Sequence, residues 1–268
     1  MSPDRRDAHA PGRLLLVPNT LDLGCVDPGT GTPPDLQTVL PLAVIQAASR
    51  LRHWVAENAK TTRSFLKRVD AISPLGEPLQ AISISELPRP AKGGKSDPAQ
   101  DRLAMEALLA PARQGHDIGL ISEAGLPGVA DPGSALVQAA HLAGVQVVPL
   151  SGPSSLVLAL AGSGLHGQSF AFVGYLPTDA AQRAQRIREL EALSRKARQT
   201  QLVIETPYRN AALWQALLQN LQPQTWLNVS CGLTLPQGFT QTDTVARWRG
   251  RQLALPGDVP AVFAWLSA

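Results

Sequence analysis

The twelve residues Ser122 to Gly133, reading SEAGLPGVADPG, hold the densest set of groups able to do chemistry in this chain. Three glycines, two prolines and two carboxylates lie just past an apolar run, Ile118–Ser122, and before a helical pattern over Ser134–Ala143. Glycine allows backbone to approach a ligand closely, and a helix start offers unpaired N–H groups to an acidic or polar ligand. In open α/β sheets ligands bind outside the carboxyl ends of strands, which is where this turn falls. A second reading stays open: Asp131 capping the helix, with Pro132 at its first position, accounts for Asp-Pro-Gly without a ligand.

Two further turns repeat the pattern. Ser151-Gly152-Pro153-Ser154-Ser155 follows the apolar run Val145–Leu150, and Pro18-Asn19-Thr20-Leu21 follows Leu14–Val17. Three such turns at one sheet edge outline a pocket. None reads G-x-G-x-x-G or G-x-x-x-x-G-K-[ST], so hydride transfer from a dinucleotide and phosphoryl transfer from a nucleoside triphosphate lose their main support.

Positioning these turns requires strands and helices in alternation. Short apolar runs at Leu14–Val17, His53–Ala56, Ile118–Ser122 and Val145–Leu150 alternate with helical patterns near Val39–Leu51, Asn58–Val69, Asp101–Arg113, Ser134–Ala143 and Ser154–Ala161, which predicts a parallel sheet covered by helices. The pattern restarts after the glycines at 162, 164 and 167, with strands Phe170–Tyr175, Gln201–Glu205, Trp226–Leu233 and Ala261–Trp265. Helices are expected within 179–198, over Asn210–Leu221 and near Thr244–Arg249. The fold class is therefore α/β in two parts: a tail over 1–12 with order beginning at Arg13, a first domain over 13–166, and a second over 167–268. Residues 71–98, rich in proline, read as a long surface loop around one edge strand at Gln80–Ile84.

Composition excludes several classes. A chain of 268 residues that is 44% hydrophobic and 17% charged is too apolar to be disordered. Its 22 glycines and 23 prolines fall in clusters rather than at a fixed period, which excludes collagen. Cys25 and Cys231 lie far apart without ligand spacing, so neither a disulfide scaffold nor a zinc cluster is supported and a reducing compartment is expected. The histidines at 8, 53, 116, 141 and 166 are scattered, none read as a metal ligand or base, and no metal is expected. No apolar run nears the roughly 20 residues that cross a bilayer, so no membrane partner is expected and the location is taken as cytoplasmic. The net charge of +3 suits solubility as well as RNA or an acidic ligand.

At this point the motifs carry a family resemblance. Ser122-Glu123-Ala124-Gly125 with Asp131-Pro132-Gly133, Val148-Pro149-Leu150-Ser151-Gly152-Pro153-Ser154-Ser155, Ala161-Gly162-Ser163-Gly164-Leu165 and Phe172-Val173-Gly174-Tyr175-Leu176-Pro177 resemble the tetrapyrrole methylase superfamily, in that family's order. The branch they are most similar to is the small-subunit ribosomal RNA 2′-O-methyltransferase type. The dense match covers about residues 117–177, with weaker echoes at 14–21, 55–66 and 202–210.

The resemblance implies two α/β/α domains with S-adenosylmethionine in a cleft between them, a homodimer, and ribosomal RNA of the small subunit as substrate. Carried over residue by residue, it assigns cofactor contact to Pro18, Ser122, Ala124, Gly125, Asp131, Ser151, Gly152, Pro153 and Ser154, and, from the second half, to Gly174, Tyr175, Glu205 and Tyr208. Tyr208 reads equally well as a core residue. Glu57-Asn58-Ala59-Lys60-Thr61-Thr62-Arg63 resembles the branch's E-D-T-R-x-T segment and makes Glu57 and Arg63 the catalytic candidates. Glu57 would serve as general base toward a hydroxyl and Arg63 as a phosphate holder. The alternative is a capping Glu57 beside a solvated Lys60/Arg63 helix face.

The chain departs from the branch at three places: Glu123 stands where it usually has Asp, Asn58 replaces an acid, and Val17-Pro18-Asn19-Thr20-Leu21 lacks its P-I-G-N run. Two other readings therefore stay open, a C-methyltransferase of a corrin or other tetrapyrrole precursor and a cofactor-binding ribosome-associated protein without catalysis. Arg183, Arg186, Arg188, Arg195, Lys196 and Arg198 make one basic helix, either an RNA phosphate contact or a solvated face balanced by Glu189 and Glu191. If Gly152 admits a ligand to the backbone, Gly152→Val abolishes S-adenosylmethionine binding in a calorimetric titration; unchanged affinity would move the pocket elsewhere.

Overall fold

The structure, a computed structural model, describes residues 11–24, 33–88 and 97–267. The chain divides into two compact units, Met1–Pro153 and Ser154–Ala268. In the first, strands β1 (Leu14–Leu16), β2 (His53–Ala56), β3 (Ser83–Glu86), β4 (Ile118–Ile121) and β5 (Val147–Pro149) form one sheet in the order β3-β2-β4-β1-β5. Every pairing in it is parallel. Helices α1 (Leu42–Ser49), α2 (Ala59–Asp70), α3 (Pro98–Leu108), α4 (Ala110–Arg113) and α5 (Ser134–Leu142) connect the strands. The parallel sheet expected from the alternation is present.

Local chemistry explains the elements. Asn58 caps α2, its side chain accepting from the N–H groups of Lys60 and Thr61, while Thr62, Phe65, Leu66 and Val69 bury one face at helical spacing. Register is set by a size match: Gly119 of β4 pairs with Trp54 of β2, and a Cβ at Gly119 would lie 2.8 Å from the indole. The indole N–H donates to the Leu51 carbonyl at 3.2 Å.

Several expected boundaries move. Gly12 is buried and donates to the Ala112 carbonyl at 2.8 Å, so order begins before Arg13; the rest of the expected tail, residues 1–10, lies outside the described residues. As far as Pro88 the 71–98 stretch is a surface segment around one edge strand, as expected, but Ile82 is buried with Ile72, Leu75 and Leu79 packed against the core, and β3 lies two to three residues later than Gln80–Ile84. Residues 89–96, and Cys25, lie outside the described residues.

The second unit opens with α6 (Ser155–Ser163), followed by β6 (Phe170–Phe172), α7 (Ala180–Ala197), β7 (Thr200–Glu205), α8 (Asn210–Asn220), β8 (Trp226–Cys231), β9 (Phe239–Thr244), α9 (Val245–Arg249) and β10 (Ala261–Leu266). Its sheet runs β6-β7-β10-β8-β9, parallel only between β6 and β7. The expected boundary at 166 shifts to Pro153, because Leu156, Ala159 and Leu160 of α6 pack against Leu202, Val262 and Ala264 of this sheet. The strand β9 (FTQTDT) escapes a pattern reading because it is a polar edge strand. The side-chain amide of Asn228 holds it, donating to the Thr240 and Thr242 hydroxyls at 3.0 and 2.9 Å.

An aromatic cluster anchors the second core. Trp214 meets Trp248 edge-on at 5.1 Å and lies near-parallel to Phe263 at 6.2 Å, and the Trp248 indole N–H donates to the Leu227 carbonyl at 2.8 Å. Deleting a buried aromatic side chain costs roughly 3–5 kcal/mol. Trp214→Ala is expected to lower the denaturant midpoint of the second unit's unfolding by that measure; a loss confined to the first unit would contradict this packing.

Candidate functional site

The three turns singled out from the sequence all leave the carboxyl edge of the first sheet, because β1, β4 and β5 are parallel neighbours. They are fastened to one another. Asn19, buried after β1, donates from its amide to the carbonyls of Ser122 and Glu123 at 3.1 and 3.0 Å, and its backbone N–H to Gly125 O at 2.8 Å. Its side-chain oxygen accepts from Thr20 N–H at 2.9 Å, so the amide is used on both sides. Asn19 carries more of the turn geometry than any residue picked from the sequence. The only signal pointing to it was its place directly after the strand-ending Val17-Pro18.

Gly152 is required for a different reason from the one expected. A Cβ there would lie 2.2 Å from the Pro18 side chain, so the close approach to Gly152 is made by a proline ring of the neighbouring turn. Substitution at Gly152 therefore disturbs the turns themselves. In the long turn, Gly125 and Gly133 take φ of +65° and +130°, which favour glycine, and Ala130 takes +67°. Ser122 is buried, and its hydroxyl donates to the Ala124 carbonyl at 3.0 Å.

Asp131 does not cap α5. The cap position is Gly133, without a side-chain hydrogen bond, and Pro132 precedes it. Asp131 instead sits half-buried among carboxylates. Burial, followed by the nearby charge of Glu57, pushes its carboxyl up to about 6, with the Ser122 hydroxyl working the other way and Glu123 adding to the rise.

Glu57 does not cap α2 either, since Asn58 does. Glu57 Oε2 accepts from the Glu123 backbone N–H at 3.2 Å, and its own N–H donates to Ile121 O at 3.2 Å, which ties the end of β2 to the end of β4. Glu57 and Glu123 line a groove of about 600 Å³ whose apolar walls include Leu87, Met105 and Leu136. Arg63 is exposed on α2, and its guanidinium folds back to the Ala59 carbonyl at 3.4 Å, away from the groove lined by Glu57 and Glu123. The cation that shapes the edge is Arg68, paired with the buried Asp22 at 2.8 Å and donating to Pro34 O at 2.8 Å.

In the second unit the parallel strands β6 and β7 send two turns off one edge. Gly174 (φ +75°) accepts from Ile204 N–H at 3.2 Å, and Tyr175 beside it is 56% exposed. Tyr208 is 79% exposed, which overturns the core reading of that residue. Glu205 is buried and works on its own turn: Oε1 accepts from Thr206 N–H at 2.8 Å, and Oε2 lies 2.9 Å from the Arg209 guanidinium. That second oxygen has charge attraction but no aligned hydrogen bond. Ser154 opens α6 without a side-chain cap, and Ser151 is exposed.

The basic helix α7 is partly engaged within the unit. Arg183 donates to Thr178 O, Arg186 pairs with Glu189, and Arg188 donates to the Asn220 side chain. Glu191 is no surface balance: it is buried and accepts from Gln222 N–H and the Thr225 hydroxyl. Among the described residues no group of side chains could hold a metal ion, and no helix is long and apolar enough to cross a membrane.

Residues 29–237 match the family of tetrapyrrole (corrin/porphyrin) methylases, and the chain belongs to that family. Its α/β architecture is that of the class. The chain is 36% identical over 145 residues to the ribosomal RNA small subunit methyltransferase I of Synechocystis sp., covering 54% of this chain and 48% of that protein. It is 45% identical over 107 residues to the protein of the same name from Micromonospora olivasterospora, covering 40% and 33%. The chain thus spans about half or less of the length of these curated relatives. Among solved structures it resembles the methyltransferase CobJ, with a TM-score of 0.53 at 15% identity, covering 96% of this chain and 95% of that one. It also resembles uroporphyrin-III C-methyltransferase from Thermus thermophilus complexed with S-adenyl homocysteine, with a TM-score of 0.51 at 18% identity, covering 96% and 98%.

The raised carboxyl of Asp131 has a consequence for stability. The folded chain holds this proton more tightly than the unfolded chain, so Asp131 contributes stability below its ordinary value of 3.8 that is lost as pH rises through about 6. Asp131→Asn is expected to raise the thermal midpoint above pH 6 and to flatten its pH dependence across that window. A variant that is less stable than the parent at every pH would show that the ionised carboxylate is stabilised in place.

Proposed function

We propose that this chain is an S-adenosylmethionine-dependent methyltransferase acting on an oxygen of small-subunit ribosomal RNA, with the cofactor held at the interlocked turns. The observation carrying this reading is the arrangement of the family's motifs. The turns after β1, β4 and β5 are joined by Asn19 and by the Pro18–Gly152 contact into one backbone-rich rim. Such a rim suits a ligand with an adenine, ribose hydroxyls and an amino-acid end, since the small residues Ala124 and Gly125 add no competing side chains. Pro18, Ser122, Ala124, Gly125, Asp131, Ser151, Gly152, Pro153 and Ser154 are the proposed contacts at these turns, and Gly174, Tyr175 and Tyr208 are proposed as contacts on the family resemblance alone. Glu205 serves by holding the turn that presents Tyr208.

When bound, S-adenosylmethionine supplies an electrophilic methyl group on a sulfonium, transferred by direct in-line displacement. The protein's part is to position the accepting hydroxyl, exclude water and take up a proton. Glu57, held against Glu123 N–H on the wall of the groove, is the proposed base for that proton. Asp131 stands beside it with a carboxyl pushed up to about 6. Among the described residues the groove's lining brings two carboxylates and apolar walls but no cation, so it suits the uncharged ribose and base better than phosphate. Arg63, exposed on α2, is the proposed phosphate contact. We further read the protein as a cytoplasmic homodimer without a metal.

The apolar walls at Leu87, Met105 and Leu136 favour one second reading, methylation of a tetrapyrrole carbon. Against it, the carboxylates of Glu57 and Glu123 would repel the peripheral carboxylates of such a substrate.

Purified full-length protein incubated with methyl-labelled S-adenosylmethionine decides between them, using small ribosomal subunits from a strain lacking the gene, naked ribosomal RNA and tetrapyrrole precursors as acceptors. Label released from RNA as a 2′-O-methylnucleoside is expected. Label only on a tetrapyrrole would replace the leading reading by the second, and cofactor binding with no label on any acceptor would point to a binding protein without catalysis. Glu57→Gln should lower kcat by roughly 10²–10⁴-fold with cofactor affinity unchanged, the range for loss of a general base.

A further inference from the structure

At the opposite, amino edge of the first sheet, a second cavity of about 430 Å³ has a different chemistry. Arg13, Arg50, Arg52, His53, His116 and Asp117 line it, all from the segments that lead into β1, β2 and β4. The parallel order β2-β4-β1 brings these three segments side by side. The His53 and His116 rings lie in contact, tilted at 41° with centroids 5.2 Å apart. The one carboxylate, Asp117, is fully used by Arg13, accepting from its backbone N–H at 2.8 Å and from both Nε and Nη2 of the guanidinium. Arg52 pairs with Glu77 at 2.6 Å on an exposed flank, where an ion pair is weakly held.

We propose that this cavity is a binding site for a phosphate group, free or carried on an RNA backbone. Arginine forks and imidazoles are the donor set that recognises phosphate oxygens, and here they converge on a concavity instead of spreading over a face. Stabilisation of helix ends accounts for part of the charge: α1 and α4 finish at this edge, and Arg50 is the residue after α1. It does not account for two histidine rings in contact beside those arginines. The cavity disfavours added positive charge, since burial and then His116 and Arg52 lower the titration of His53. A phosphate would reverse that balance by supplying the missing negative charge. The groups facing the two rings are Arg13, Arg50, Arg52 and Asp117, with Glu77 behind Arg52.

The inference is independent of the methyl-transfer reading and is tested without cofactor. The full-length protein is titrated with inorganic phosphate and with a short oligoribonucleotide by calorimetry, at about pH 6 and about pH 8, on either side of histidine titration. Side-chain resonances of His53 and His116 are followed by NMR. Saturable phosphate binding that tightens at the lower pH is expected, with the His53 titration moving up on saturation. Arg50→Gln with Arg52→Gln should weaken it about tenfold, with thermal stability preserved because both side chains are on the surface. Oligoribonucleotide binding that phosphate displaces assigns the site to an RNA backbone, and binding of inorganic phosphate alone assigns it to a free phosphate. No binding of either, or binding that the double variant leaves unchanged, overturns the proposal and leaves the arginines as helix-end charges.

Discussion

The first unit depends on a single asparagine amide. Asn19 spans two turns that come from strands over a hundred residues apart in the chain, and it satisfies the buried carbonyl of Ser122 and the partly buried carbonyl of Glu123. Leaving the buried Ser122 carbonyl unpaired would cost about 1–3 kcal/mol, so the two turns keep their relative placement as long as Asn19 does. Pro18 extends the same control to the third turn by filling the space over Gly152. Arg68, through Asp22 and Pro34, fixes the chain immediately after Asn19. A backbone-rich rim of this kind gains its precision from neighbouring turns and not from long side chains.

The sheet that carries the rim separates two electrostatic environments. At its carboxyl edge Glu57, Glu123 and Asp131 crowd together, and the proton that Asp131 retains up to about pH 6 relieves part of their mutual repulsion. At its amino edge arginines and histidines converge, offset by Asp117 at Arg13 and by Glu77 at Arg52. The helix arrangement of a parallel α/β layer offsets part of this contrast: N-termini offer N–H groups on the carboxyl side, where the carboxylates lie, and carbonyls point to the amino side, where the cations lie. The second unit lacks such polarity because most of its strands are antiparallel.

Much of the layout was legible in the chain. Apolar runs separated by glycine and proline turns marked β1, β2, β4 and β5, and the helical face Thr62, Phe65, Leu66 and Val69 is visible as spacing. What was misread had physical causes. The α6 segment follows β5 as a helix follows a strand in any βαβ unit, but its small, apolar face fits the second sheet, so the boundary moved to Pro153. The strand β9 is polar on both faces and looks like a loop until Asn228 is seen holding it. Asp131 has the spacing of a cap, and its true setting depends on Glu57, which lies far away in the chain.

The sequence by itself determined the α/β class, the positions of the three turns, and the family whose motifs those turns carry, because periodicity and glycine placement are local properties. Only the tertiary structure decided what each side chain in the turns is for. Asn19 became the fastener, Gly152 a seat for Pro18, Asn58 the cap that Glu57 is not, and Glu205 a buried brace beneath an exposed Tyr208. Those roles follow from which partners lie within hydrogen-bond or van der Waals reach. Strand order sets that reach, by bringing segments a hundred residues apart into contact.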